Sequence, residues 1–255
     1  MRKEYQKEIK ESMKEKMKSM NFKLKGQSFI RIVNRQIYQE INFQGSASGE
    51  NFTVNITIIP IYGINTTYFR PTIRIGIFIS GEDTWYDYSH NSINEATNVI
   101  KDKVLTLMNS LTTYEKLYEE IESLIDDTHP TEKEWRNIKV ALMHNIGNIN
   151  LFWLCYKNKQ YDKCKNALKY EKETIQSWLD RNIEVINWEQ EQITSEKHIK
   201  KLEENKNKLK EIAEERISKV DELSSLLENN EIEKLTSIID EIESKNLNSL
   251  SKFCI

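Results

Sequence analysis

The chain has 255 residues, with 37 Lys and Arg against 40 Asp and Glu and a formal net charge of −3. That length fits one large core or two modest ones, and the near balance of charge removes the positive field by which nucleic-acid binders gather phosphates. Neither a nucleic acid nor an anionic membrane is therefore expected as a partner, and the expectation is a cytoplasmic protein. The opening MRKEYQKEIKESMKEKMKSM has no apolar h-region, and later apolar runs fall short of the roughly 20 residues that span a bilayer. Cys155, Cys164 and Cys254 make an odd count in a sizeable chain, which fits reduced thiols.

In chain order, the spacing first predicts a helix over 2–20, because Tyr5, Ile9, Met13, Met17 and Met20 fall three or four apart on one stripe. Four apolar runs follow at 28–34, 36–44, 52–59 and 72–80, each alternating with period two or rich in β-branched residues. Their connections are short, so an antiparallel meander is expected. The alternation assigns faces. Ile37, Ile41 and Phe43, then Phe52, Val54, Ile56 and Ile58, then Ile73, Ile75, Ile77 and Ile79 share the apolar face. Tyr38, Glu40, Asn42 and Gln44, then Thr53, Asn55 and Thr57, then Thr72, Arg74 and Gly76 share the polar one. Such a sheet packs helices on one side.

Ser92-Ile-Asn-Glu95 has the form of a capping box and predicts a helix over 92–110, and Thr112-Thr-Tyr-Glu115 predicts another ending near Asp127. The run Asp126-Asp-Thr-His-Pro130 is the expected linker, and Thr131-Glu-Lys-Glu134 repeats the capping form. Six of the seven glycines, Gly26 to Gly81, lie before residue 82, and from 131 onward there is no proline and only Gly147. Turn-rich structure thus belongs to the first third and helix to the rest. Leu142, Ile146, Ile149, Leu151 and Leu154 mark one helix, and after the polar break 157–160 the next begins at Tyr161. Beyond Glu171 the pattern runs almost unbroken to Glu228-Asn-Asn230. Within it Ile199, Leu202, Leu209, Ala213, Val220, Leu223 and Leu227 fit a heptad, interrupted by Lys206 and Arg216. A last helix is expected over 231–244. The fold class is therefore α+β. An antiparallel sheet module at 1–127 carries helices on one face, and an all-helical module at 131–255 contains a long amphipathic or coiled-coil helix.

Phe29-Ile-Arg31, Ile41-Asn-Phe-Gln-Gly-Ser46, Phe52-Thr-Val-Asn55 and Arg74-Ile-Gly76, with Asp83-Thr-Trp85 after them, resemble the bacterial family catalogued as domain of unknown function 4304. The resemblance covers about the first half of the chain and implies a fold without an assigned chemistry. Residues 151–170, LFWLCYKNKQYDKCKNALKY, resemble part of a tetratricopeptide-type hairpin, although no second copy follows at a period of about 34 residues.

The residues with recognition chemistry are Arg31, Gln44, Asn55 and Arg74 in the sheet and Trp188 in the helices. Gln44, Asn55 and Arg74 would project from adjacent strands as a donor-rich surface for an acidic or backbone-rich partner; the competing reading is a solvated face with cross-strand hydrogen bonds. Trp188 stands among polar neighbours in Asn187-Trp-Glu-Gln-Glu191, where an aromatic side chain serves an interface better than a core. His90, His129, His144 and His198 are scattered, Cys155 and Cys164 lack the close spacing of zinc ligands, and no phosphate loop, dinucleotide motif or nucleophile elbow occurs. No catalytic residue, metal or cofactor is assigned. The expected function is a non-enzymatic interaction with another protein, with self-association through 193–227. The alternative is an enzyme or small-ligand site on the polar face, Arg74 holding an anion and Glu40 acting as acid or base. The Ile-, Asn- and Lys-rich composition fits a low-GC bacterium or its mobile elements, a setting of defence, phage counter-defence and toxin-immunity proteins.

Overall fold

The computed structural model describes residues 2–64, 72–82, 85–125 and 133–255; the side chains of 2–6, 123–125, 133–137 and 145 are outside the description. The linker at 126–130 and the first two residues of the capping run, Thr131 and Glu132, lie outside the described residues, as does the side chain of Tyr5. Helix α1 (Arg2–Ser19) buries Ile9, Met13 and Met17, the middle of the expected stripe. The sheet follows, its strands β1 (Lys23–Lys25), β2 (Ser28–Val33), β3 (Ile37–Gly45), β4 (Asn51–Pro60) and β5 (Ile73–Arg74) lying side by side in chain order, all antiparallel. The β2–β3 hairpin closes through Asn34 and Arg35, both at positive φ, with the Gln36 N–H donating to Val33 O. Two successive left-handed residues match the twist of the flanking strands.

The expected strand over 72–80 is corrected. Pairing with β4 covers Ile73 and Arg74, and the Ile75 N–H adds one more bond to Val54 O. The chain then coils into a helical turn, α2 (Gly76–Ile79), which buries Ile75 and Phe78 three residues apart. Isoleucine at alternate positions is a strand signal, but Ile75 and Phe78 also lie at a helical spacing, and Gly76 carries no preference for extended backbone. The edge of β4 that β5 vacates is taken up by β6 (Tyr86–Asp87), which pairs with Asn51 and Phe52.

Helices α3 (His90–Val99) and α4 (Leu105–Ser110) form one continuous rod through a wider π turn at Ile100–Val104. Its cap lies three residues before the expected box. Ser89 Oγ accepts from the Ser92 N–H, and Asp87 accepts from the N–H and Oγ of Ser89 and from Ser92 Oγ. These bonds, led by that of the Ser89 side chain, hold the Asp87 carboxyl below its usual range. Helix α5 (Tyr114–Ile125) opens on Thr113, whose Oγ1 accepts from the Lys116 N–H.

The single helix expected around 142–154 is two, α6 (Lys133–Ile146) and α7 (Asn148–Lys157), broken at Gly147 with φ +76. Helix α8 (Tyr161–Gln192) folds back on α7, with Cys164 and Ala167 buried at the crossing and the Cys164 thiol directed at Phe152 O. The near-unbroken pattern expected from 171 to 228 is also corrected. Ile193 adopts extended backbone, and helix α9 (Glu196–Glu228) returns antiparallel along α8. The register is fixed by Gln190 to Glu203, Lys206 to Asn187, Lys172 to Asp221 and Arg216 to Glu171. The heptad residues of α9 thus face α8 of the same chain.

Helix α10 (Ile232–Leu250) returns to the sheet module. The turn Ile61–Gly63 after β4 is wholly buried there. Asn246 Nδ2 donates to Ile61 O at 2.9 Å, the Tyr62 and Tyr114 rings lie 5.2 Å apart, and Gly63 abuts Asn150 of α7. Tyr114 Oη donates to Glu243, and burial, then that carboxylate, raises its pKa so that it remains a donor. Phe253 is buried, and Cys254 bridges β2 at Ile32, with the Ile255 N–H donating to Ile32 O at 3.0 Å. One hydrophobic core runs from Ile9 through the sheet to Phe253.

Candidate functional site

The pairing places Ser28, Asn42, Asn55 and Arg74 in one row across β2, β3, β4 and β5. Paired residues in a sheet share a face, so this row lies on the polar side read from the alternation. Its side chains form a ladder. Asn42 Nδ2 donates to Ser28 Oγ at 2.9 Å; Asn55 Nδ2 donates to Gln44 Oε1 at 2.7 Å and to Asn42 Oδ1 at 3.4 Å; Thr72 Oγ1 donates to Asn55 Oδ1 at 3.3 Å. Asn55 is 7% exposed, and Thr53 and Thr57 on the same face are buried. The ladder is therefore partly interior. Gln44 and Thr72 are its exposed members, and the half-buried Arg74 guanidinium lies 5.2 Å from the centre of the Trp85 ring. Together they form an amide, cation and aromatic edge able to grip a backbone or carboxylate.

Glu40 stands apart from that edge. It pairs with Thr57, whereas Arg74 pairs with Asn55. Two strand spacings sideways and two residues along put their backbones roughly 12 Å apart. Glu40 accepts from Tyr38 Oη at 2.8 Å.

Arg31 lies on the opposite, helix-packed face and is 5% exposed. Its Nε donates to Gln39 Oε1 at 2.8 Å, its Nη1 to Met20 O at 3.0 Å and its Nη2 to Asn109 Oδ1 at 2.8 Å. The Phe22 ring centre is 4.4 Å from the guanidinium. Gln39 in turn donates to Met108 O and Leu111 O. The pair ties the corner after α1 and the end of α4 to the sheet. Burial pulls the Arg31 pKa down to about 10, still cationic at neutral pH. Its expected role as a partner contact gives way to a structural one, because the side chain is buried and each of its three nitrogens donates to a group of the same chain.

Trp188 is 63% exposed on α8, with Val185, 56% exposed, one turn earlier and Ile212, 45% exposed, on α9. Sequence reading missed the last two. Each directly precedes a buried residue of the α8–α9 seam, Ile186 and Ala213, and that offset was the available signal. A groove of about 720 Å³ lies at the foot of the same helix, lined by His144, Asn148, Lys163, Tyr170 and Arg181 among others. Lys163 already pairs with Glu122, and Glu171 beside it with Arg216.

Among the described residues no three His, Cys, Asp or Glu side chains form a metal-ligating group, and no helix is long and apolar enough to cross a membrane. No protein-family model matches the chain, and no curated protein or solved structure is significantly similar to it.

Proposed function

We propose that this chain is a non-enzymatic protein-interaction module of the bacterial cytoplasm, of the kind used in defence, phage counter-defence or toxin immunity. The observation that carries the interaction reading is the α8–α9 arm, which holds Trp188 63% exposed beside a second exposed apolar residue. A tryptophan presented on regular helix brings large contact area with few rotatable bonds, the chemistry of an interface anchor. The Gln44–Arg74–Trp85 edge offers a second surface with hydrogen-bonding character, and the Ile-, Asn- and Lys-rich composition supports a bacterial setting.

The test is affinity purification of the tagged chain from its host, beside Trp188→Ala and Arg74→Ala variants that fold as the parent does by circular dichroism. A stoichiometric partner lost from one variant identifies the surface, and the loss at the contacted residue should be at least tenfold in affinity, about 1.4 kcal/mol. A partner retained by both variants removes these two surfaces from the reading. Turnover of a small molecule that Arg74→Ala abolishes would favour the alternative, an enzyme or ligand site on the polar face.

A further inference from the structure

We infer that the row Lys25, Ser28, Asn42, Asn55 and Arg74, which crosses the polar face of the sheet, takes an extended acidic segment of a partner protein, one carboxylate at each end of the row. The inference rests on the interaction reading and names the partner's chemistry at its second surface.

The register supplies the geometry. Lys25 pairs with Ser28, Ser28 with Asn42, Asn42 with Asn55 and Asn55 with Arg74, so all five side chains leave the same face of the sheet. Four strand spacings put the backbones of Lys25 and Arg74 roughly 19 Å apart. Lys25 is exposed at one end and Arg74 half-buried at the other. At the Lys25 end a second cation is close: the Lys25 and Lys252 ammonium groups lie 5.9 and 5.2 Å from the centre of the same Phe253 ring.

Between the two ends the ladder runs in one direction. Thr72 donates to Asn55, Asn55 to Gln44 and Asn42, and Asn42 to Ser28. Each amide oxygen in it accepts a bond, whereas the Gln44 amide nitrogen and the Ser28 hydroxyl hydrogen take no part in it. Ser28 and Asn55 are buried, Asn42 is half-buried and Gln44 exposed, so the last two amides present the ladder to a ligand. What the row offers outward is donors flanked by cations, the complement of carboxylates and peptide carbonyls.

The neighbouring rows select no charge. Gln44 and Thr53 on one side are uncharged, and Lys23, Ile30, Glu40 and Thr57 on the other carry one charge of each sign. Lys23 donates to Lys252 O, and Glu40 accepts from Tyr38 Oη. Charge spacing also separates a peptide from a nucleic acid. A nucleic-acid strand carries a phosphate about every 3.4 Å, whereas amides fill the middle of this row. An extended peptide rises about 3.3 Å per residue and returns to one face every second residue. Acids about six positions apart therefore span roughly 20 Å on one face and meet both ends.

Selection of random peptides about twelve residues long, displayed on phage, against the immobilised full chain tests the inference. The expected sequences carry two acids at that spacing. As synthetic peptides they should bind about tenfold more weakly to Lys25→Ala and to Arg74→Ala, measured by fluorescence anisotropy. Lys25→Glu should turn the preference at one end from acid to base, a change that no loss of folding produces. Selected peptides without the paired acids, or indifferent to Lys25→Ala, overturn the inference, as does a selection that enriches nothing. A single-stranded oligothymidylate bound as tightly as the peptides would overturn it in favour of a nucleic acid. A host protein bound through Trp188 but indifferent to Lys25→Glu and Arg74→Ala would overturn this surface alone and leave the interaction reading in place.

Discussion

At the scale of single residues, Arg31 shows how alternation misleads. In Ser28-Phe-Ile-Arg-Ile-Val33 a lone arginine between isoleucines reads as a side chain turned to solvent, yet all six residues of β2 are buried. What the strand cannot announce is that the corner after α1 and the end of α4 offer it carbonyl and amide oxygens. Those acceptors come from residues 11 and 78 positions away, beyond any local pattern. Because a buried guanidinium that bonds three groups leaves all three unsatisfied when removed, Arg31→Ala should cost about 3 kcal/mol. Arg31→Lys should recover little, since a single ammonium cannot reproduce the fork. Urea unfolding measures both; a fully stable Arg31→Lys protein would show that charge alone matters. Asn55 is the converse case. Its strand face was legible, its donors were not, because their use within the ladder depends on the β3–β4 register.

Elements were legible where one period dominated. The stripe of α1 and the alternation of β3 and β4 admit a single reading, whereas 72–80 satisfied two periods and folded as a two-residue strand plus a helical turn. The heptad of α9 was visible, but its cognate helix was not, because the break at 193–195 contains neither glycine nor proline. The turn Ile61–Gly63 is a join between elements that no motif marks. A Cβ on Gly63 would come within 2.9 Å of Asn150 Nδ2, and Asn150, 2% exposed, donates to Ile146 O. Gly63→Ala should therefore cost about 2 kcal/mol by displacing that amide. Adding Asn150→Ala should cost less than the sum of the two single changes, because the clash is then gone. Additive losses in thermal unfolding would place the strain elsewhere.

On the scale of the whole molecule, the sheet and the helical half share one core, joined through the 61–63 turn, Asn246 and the residues around Phe253. A protease site placed within 126–130 should give two fragments that remain associated on size exclusion and unfold in one transition. Fragments that separate and keep their structure would instead establish independent units. The bridge between Cys254 and Ile32 has a further bearing on handling the protein. Strand β1 shields only the Ser28–Ile30 portion of β2, so the hydrogen-bonding groups at Ile32 would otherwise lie open as a template for another strand. By occupying that place, Cys254 and Ile255 guard against edge-to-edge polymerisation, and a variant lacking those two residues is the form in which fibrous aggregation should begin.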